Sequence, residues 1–294
     1  MREVARVAAP SAGQEHDMIK GWHRPLLPLA CLACIPGAAH AQDHLIGTES
    51  ALTIEIPGQG ERRAVWISVP PGYERSGATR YPVAYVLDGR GLFPGAVAAA
   101  RFLSVFEGAP GMIVVGIDSV NPAARRRDFT PVRAASDAEG ASGQADRFAA
   151  LLAGGIVPRI NMDFRTDGRA VLIGHSLAGL FALDAWHRRL PAFDGYIAIS
   201  PTLPWADNEI MGRIASRAKG SSDAKAPFVF VSMAADMPAY LAQMERLESM
   251  APQLAPAWQF ARFPDDTHVT TVPGALFRGL RLYHQHLAAG PPKP

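Results

Sequence analysis

The stretch AVLIGHSLAGLFALDAWHRR, at residues 170–189, carries the strongest structural signal in the chain. Its first four residues form a short apolar run, as expected of a strand that is buried on both faces of a sheet. The residues from Leu177 onward form a run of helical length. Between the two, Ser176 stands on a strand-to-helix turn with small flanking residues. This arrangement is typical of a nucleophile elbow, in which the serine hydroxyl projects above the sheet.

One position departs from the usual elbow pattern, which has glycine two residues after the serine. That position is Ala178 here, and Gly179 follows it. The methyl group fits only if the neighbouring strand leaves space for it. The alternative interpretation is a glycine-flanked loop serine that merely caps a helix.

The chain on both sides of this stretch alternates short apolar runs with helical patterns, which predicts an α/β fold in three layers. Two segments of alternating polarity, residues 51–56 and 64–69, predict an antiparallel opening pair of strands. Further strands are predicted at residues 82–87, 112–117, 170–173, 196–199, 228–232 and 258–263. Helices are predicted at residues 95–106, 144–161, 177–189, 207–218, 238–250 and 273–286. Residues 121–143 show no periodicity and are predicted to form a long loop.

A serine hydroxyl needs a base to remove its proton, and histidine is the natural base near neutral pH. His268 lies in a polar loop between the last predicted strand and the last helix, where the chain order Ser, acid, His places the base. Asp236 follows the strand at 228–232 and is the candidate third member, which would orient the imidazole. Asp265 or Asp266 is an alternative third acid. The other alternative is a Ser-His dyad that operates without an acid.

An oxyanion that develops during acyl transfer needs two hydrogen-bond donors. The backbone N–H of Leu177, directly after the serine, is the first candidate. The second is expected from Asp88 or Gly89, in the turn after the strand at 82–87. Arg90, the next residue, is a candidate for contact with an acidic substrate, and a solvated loop arginine is the alternative.

The N-terminal segment is typical of a secretory signal peptide. Lys20 and Arg24 form a basic region, residues 26–38 are short and apolar, and residues 39–41 read AHA. We expect cleavage after Ala41, which leaves residues 42–294 as one domain in the periplasm or outside the cell. Met18 is a more natural start than Met1. The two cysteines lie at positions 31 and 34, inside this segment, so the mature chain has no disulfide.

Composition excludes several other classes of protein. The 294 residues include 29 basic and 27 acidic side chains, a net charge of +2, which gives a nucleic-acid partner no concentrated basic face. The mean hydropathy of +0.04 excludes a polytopic membrane protein, and no stable membrane insertion is expected after signal cleavage. Metal-ligand spacings and phosphate-binding glycine loops are absent from the sequence, so no metal and no cofactor are expected.

Several segments together resemble the putative-esterase family of α/β-hydrolases, and the branch of siderophore (enterochelin-type) esterases most of all. The resemblance rests on YPVAYVLDG at 81–89, VVGI at 114–117, RDFTP at 127–131, GHSLAGLFAL at 174–183 and ISPTLPW at 199–205. S-formylglutathione hydrolases and feruloyl esterases belong to the same family. The resemblance implies an α/β-hydrolase fold, with a mostly parallel central sheet and helices on both faces. It implies Ser176 as nucleophile, His268 as base and the turn at residues 88–89 as oxyanion donor, and it does not require a third acid.

Two further residues are candidates for substrate binding. Arg127, with its neighbours Arg125 and Arg126, could hold an anionic group through forked hydrogen bonds. The alternative is structural: Asp128 and Thr130 would tie down a long loop. Trp205 is expected to line the pocket or to pack against the domain.

Taken together, the sequence predicts an exported serine esterase whose partner is a small-molecule ester, with siderophore trilactones as candidate substrates. An acyltransferase with the same catalytic residues and a non-catalytic binding protein of the same fold are the alternatives. The fold alone does not identify the substrate.

Overall fold

A twisted eight-stranded sheet forms the centre of the computed structural model, which describes residues 49–55, 62–137, 140–218, 226–254 and 257–289. The strands lie in the order β1-β2-β4-β3-β5-β6-β7-β8. Their bounds are β1 Glu49–Glu55, β2 Arg62–Ser68, β3 Tyr81–Leu87, β4 Ile113–Ile117, β5 Thr166–His175, β6 Gly195–Ile199, β7 Phe228–Ala234 and β8 Trp258–Phe263.

The opening strands are antiparallel and the rest of the sheet is parallel, as predicted. β1 pairs with β2, and β2 with β4, in antiparallel register, whereas the pairs from β4 through β3 to β8 are parallel. The carboxyl ends of β3 to β8 therefore meet at one edge of the sheet. Reactive side chains in open parallel sheets collect at this edge.

Helices cover both faces of the sheet, which confirms the predicted α/β-hydrolase fold. Side chains alternate along each strand, so Val83, Tyr85 and Leu87 of β3 enter one core while Ala84 and Val86 enter the other. The helices are α1 Gly89–Glu107, α2 Pro122–Phe129, α3 Ala145–Leu151, α4 Val157–Asp163, α5 Leu177–His187, α6 Trp205–Ala218, α7 Pro238–Ser249 and α8 Thr271–Ala289. Helices α1 and α8 pack on one face, and α3 to α7 pack on the other.

The prediction of a continuous loop at residues 121–143 was wrong, because helix α2 lies within it. Asn121 caps this helix, since its side-chain oxygen accepts a hydrogen bond from the N–H of Ala124 at 2.8 Å, and Pro122 occupies the first turn. The helix carries three consecutive arginines and buries a charged residue, Asp128. Its apolar stripe is too short to produce a periodic pattern in the sequence.

The predicted signal peptide, its cysteines and the predicted cleavage site lie outside the described residues. Among the helices that the structure describes, none has both the length and the apolar character needed to cross a membrane.

Candidate active site

The turn between β5 and α5 has the backbone geometry of a nucleophile elbow. Ser176 has φ 60° and ψ −120°, a conformation that non-glycine residues rarely adopt and that is found at functional sites. A side chain at Gly174 would overlap the carbonyl oxygen of Ala178, so glycine is required there. Ala178 itself is fully buried, and its methyl group is accommodated in the core. The departure from the usual pattern therefore does not prevent the sharp turn.

The hydroxyl of Ser176 lies 3.3 Å from Oγ1 of Thr202, in the loop after β6. The same loop is bound to the elbow by its backbone, because the N–H of Thr202 donates to the carbonyl oxygen of Ser176 at 3.1 Å. The N–H of Ser176 in turn donates to the carbonyl oxygen of Ile199 at 3.0 Å. Thr202 was not predicted as a site residue, since 26 positions separate it from Ser176 and no local motif includes both.

His268 lies in the loop between β8 and α8, at the same edge of the sheet as Ser176. Its ring is partly buried, 4.5 Å from the ring of His175 and 5.6 Å from that of Tyr240, measured between centroids. Among the described residues, no hydrogen bond joins the Ser176 hydroxyl to the His268 ring. Such bonds are often long before substrate binds, so the arrangement is compatible with a nucleophile and its base.

His175 connects the elbow to the base. Its Nε2 lies 2.7 Å from the carbonyl oxygen of His268, so Nε2 carries the proton and donates it. Burial lowers the pKa of His175 to about 4; the charges of His268 and Arg125 act in the same direction, and the hydrogen bond to the carbonyl oxygen of His268 acts in the opposite one. His175 is therefore neutral at physiological pH.

The pKa of His268 is lowered from its ordinary value. Burial is the main cause, and Arg125 adds to it, while the negative charge of Asp236 acts in the opposite direction. A lowered pKa leaves the imidazole neutral near pH 7, as a general base must be to accept a proton.

Asp236, the candidate third member, lies just beyond the end of β7 and is exposed. It acts on His268 through its charge, and no hydrogen bond between the two is present in the described residues. Asp266 is engaged elsewhere, because its Oδ1 accepts a hydrogen bond from Thr270 at 2.9 Å. Asp265 is exposed. The candidate site thus consists of Ser176 and His268, and Asp236 acts on His268 through its charge.

The candidate oxyanion donors lie at the starts of two helices. Leu177 and Gly89 are the first residues of α5 and α1, so neither N–H has an acceptor within its own helix. Asp88, which precedes Gly89, has the left-handed values φ 53° and ψ 44°. A Cβ atom at Gly89 would lie 2.7 Å from the backbone nitrogen of Ile117, so only glycine fits there.

Arg125 of helix α2 binds the turn that carries the candidate oxyanion donor Gly89. Its Nε and Nη2 atoms each lie 2.8 Å from a carboxylate oxygen of Asp88, in a bidentate ion pair. Nη2 also lies 3.5 Å from the carbonyl oxygen of His175. The arginine cluster thus contacts the site through Arg125, which binds the side chain of Asp88 and the backbone of His175.

The three residues predicted to bind substrate have protein partners. Arg90 has a side chain that is 80% exposed, and its Nε lies 3.1 Å from Asp118. Arg127 pairs with the buried Asp128 at 2.8 Å. The indole N–H of Trp205 donates to the carbonyl oxygen of Val132 at 2.9 Å, which attaches the loop after α2 to α6.

The structural interpretation of the Arg-Asp-Phe-Thr-Pro segment agrees with these contacts. The hydroxyl of Thr130 donates to the carbonyl oxygen of Arg126 and accepts from the N–H of Gly143, both at 2.7 Å. Asp128 is buried and pairs with Arg63 of β2 as well as with Arg127. Among the described residues, no group of three or more His, Cys, Asp and Glu side chains is arranged to hold a metal ion.

Comparisons with known proteins agree with this geometry. Residues 57–264 match the family described as "Putative esterase". The chain is 26% identical over 267 residues to the ferri-bacillibactin esterase BesA of Bacillus subtilis, which covers 80% of this chain and 92% of that protein. It is 33% identical over 156 residues to the siderophore triacetylfusarinine C esterase of Aspergillus fumigatus, which covers 50% of this chain and 53% of that one.

A solved structure shows the same fold. The IroE-like serine hydrolase of Shewanella oneidensis superposes with a TM-score of 0.72 and 24% identity, over 80% of this chain and 79% of that one. The matched residues include the elbow and the turn after β3, and they stop four residues before His268. The chain therefore belongs to the putative esterase family, and it is a carboxylic ester hydrolase with an α/β-hydrolase fold.

Proposed function

We propose that this protein is an exported serine esterase that hydrolyses the ester bonds of siderophores through an acyl-enzyme. One observation carries the mechanism: Ser176 occupies a strained elbow, and the His268 ring packs on the ring of the adjacent His175. Two relatives, named ferri-bacillibactin esterase and siderophore triacetylfusarinine C esterase, support the substrate class.

In the first half of the reaction, the Ser176 oxygen attacks the ester carbonyl carbon while its proton passes to His268. The N–H groups of Leu177 and Gly89 stabilise the negative charge on the carbonyl oxygen. The bond to the alcohol oxygen then breaks, and His268 returns the proton to that oxygen. The products of this half are the free alcohol and an ester of Ser176.

In the second half, a water molecule attacks the acyl carbon of this ester. His268 accepts one proton of the water and then gives it to the oxygen of Ser176 as the acyl bond breaks. The free acid leaves, and the serine hydroxyl is restored. Transfer of the acyl group to an alcohol instead of water would make the protein an acyltransferase.

A substrate panel tests the proposal. The purified protein is assayed on cyclic trilactones, feruloyl esters, thioesters and short acyl esters, with and without added alcohol acceptors. We expect hydrolysis of the trilactones at the highest kcat/KM. Ser176→Ala is expected to lower kcat by about 10⁶-fold, the order found when a serine nucleophile is removed.

The matched control is Ser216→Ala, at an exposed serine whose hydroxyl donates to the carbonyl oxygen of Arg213 within α6. We expect this variant to keep the activity of the wild type. Full activity of Ser176→Ala would exclude the serine mechanism, and transfer to alcohols that outpaces hydrolysis would favour an acyltransferase. No turnover of any ester, with Ser176 unreactive to a fluorophosphonate, would favour the binding protein.

Export is tested by the N-terminus of the protein made in a Gram-negative host. The basic and apolar regions of residues 18–41 support the proposal. We expect the protein in the periplasmic fraction to begin at Gln42. A cytoplasmic protein that retains residues 18–41 would contradict it.

A further inference from the structure

The position of the base depends on a contact that no catalytic motif describes. His268 lies in a short connection between β8, which ends at Phe263, and α8, which begins at Thr271. Within this connection, the hydrogen bonds of Thr267 with Thr270 and of Thr270 with Asp266 are local. They shape the loop, but they do not fix its distance from the nucleophile.

The bond from His175 to His268 does fix that distance. His175 is the last residue of β5 and precedes Ser176, so its position is set by the sheet. Its Nε2–H group donates to the backbone carbonyl of His268 at 2.7 Å, and the two rings pack at an interplanar angle of 43°. A second bond, from the N–H of Ala235 to the carbonyl oxygen of Asp266 at 3.4 Å, is longer and lies two residues away.

We propose that His175 is a positioning residue that holds the catalytic base, His268, in register with Ser176. The inference rests on the proposed serine mechanism, and it assigns His175 no contact with substrate. A displacement of about 1 Å between catalytic groups can lower the rate about 10²-fold, so a single buried hydrogen bond at this point has a large effect on turnover.

The neutral state of His175 suits this role. The ring faces His268 and Arg125, and the bidentate partner of Arg125 is Asp88. Because burial keeps the ring uncharged near neutral pH, its Nε2–H group donates to the carbonyl oxygen of His268 there, and His175 supports the proposed base without carrying a charge of its own.

Two substitutions separate the hydrogen bond from the ring packing. His175→Gln retains an N–H donor near the position of Nε2, whereas His175→Phe retains an aromatic ring and loses the donor. We expect kcat to fall about 10- to 100-fold in His175→Phe with KM changed less than threefold, and to stay within about fivefold of the wild type in His175→Gln. His187→Gln, at the other end of α5, is the matched control and is expected to keep full activity.

The rate of Ser176 phosphonylation by a fluorophosphonate is the second readout, because it reports the Ser176–His268 pair without a substrate. We expect it to fall in parallel with kcat in His175→Phe. Equal losses in the Gln and Phe variants, or a Phe variant with the wild-type kcat, would overturn the inference. Full activity of Ser176→Ala would instead overturn the proposed function, so the two failures are distinguishable.

Discussion

At the scale of single residues, two charges act on His268 in opposite directions. Asp236 favours the protonated imidazole, while Arg125 and burial favour the neutral one, and the net effect is a lowered pKa. Among the described residues Asp236 forms no hydrogen bond with His268, so we expect its charge to raise the pKa of the proposed base without orienting the imidazole. This distinguishes the site from a triad in which the acid holds the imidazole tautomer.

Asp236→Asn is therefore expected to lower kcat by less than about tenfold, whereas loss of an orienting triad acid costs about 10⁴-fold. Removal of the negative charge lowers the pKa of His268 further, so the acidic limb of the kcat/KM profile moves to lower pH. Profiles of the two proteins between pH 4 and 9 measure both effects. A thousandfold loss of kcat would show that Asp236 is a full triad member, and a shift of the limb to higher pH would contradict its electrostatic effect on His268.

The residues that could be predicted from the sequence are those with a local motif. Ser176 and Gly89 follow apolar strands, and His268 is the histidine of the loop after the last strand. Thr202 and the contact of His175 with His268 could not be predicted, because each depends on loops that are distant in sequence. Arg90 and Arg127 were chosen for their charge, and the carboxylates that pair with them become visible only in the fold.

At the scale of secondary-structure elements, the oxyanion turn depends on the close packing of α1 against β4. The Cα of Gly89 faces the backbone of Gly116 and Ile117, with no space for a methyl group. Gly91, two residues further along the same helix, has open space where its Cβ would be. The two glycines therefore form a matched pair for substitution.

Gly89→Ala is expected to displace the turn and remove one oxyanion donor, with a loss of kcat of about 10²- to 10³-fold. Gly91→Ala is expected to keep kcat within about twofold of the wild type. It is expected to be neutral or slightly stabilising, since alanine has a higher helix propensity than glycine. Steady-state kinetics and thermal unfolding of both variants measure this. Equal activity of the two variants would exclude Gly89 as part of the oxyanion hole.

Helix α2 is attached to the domain by a buried charge. Asp128, whose side chain is 1% exposed, pairs with Arg63 of β2 and with Arg127. Asp128→Ala removes the carboxylate that pairs with the buried Arg63 and is expected to destabilise the fold by about 3–5 kcal/mol. Asp146→Ala removes an exposed partner of Arg188 and is expected to cost less than about 1 kcal/mol.

Urea unfolding of these two variants measures the difference. Similar free energies of unfolding would show that the Asp128 pair does not attach α2. This pairing also explains why α2 was missed in the sequence, whereas the strands and most long helices were predicted to within about four residues. Helix α1 begins at Gly89, six residues before its predicted start. The strands are continuous apolar runs, but α2 is stabilised by a cap and by ion pairs that have no periodic pattern.

At the scale of the whole molecule, the partly buried His175 and the buried His284 make stability depend on pH. Burial lowers the pKa of both His175 and His284 to about 4, compared with 6.5 in an unfolded chain. Between these values the unfolded chain binds more protons than the folded one, so acid favours unfolding. The stabilisation is complete above pH 6.5 and is lost progressively as the pH falls toward 4.

For each histidine the loss amounts to about 3 kcal/mol over this range. His284 lies in α8, far from the elbow in sequence, and neither of its ring nitrogens has a hydrogen-bond partner among the described residues. His284→Leu is therefore expected to reduce the decline in the free energy of unfolding between pH 7.5 and pH 4.5. Urea titrations at several pH values measure this decline, and an unchanged decline in the variant would contradict the assignment.

The most direct test of the serine mechanism is the site and rate of phosphonylation, read by peptide mass spectrometry after treatment with a fluorophosphonate. We predict one adduct, on Ser176, that forms at least about 10²-fold more slowly in His268→Ala, because the hydroxyl then lacks its base. An adduct on another residue, or a rate that is unaffected by the loss of His268, would contradict the account.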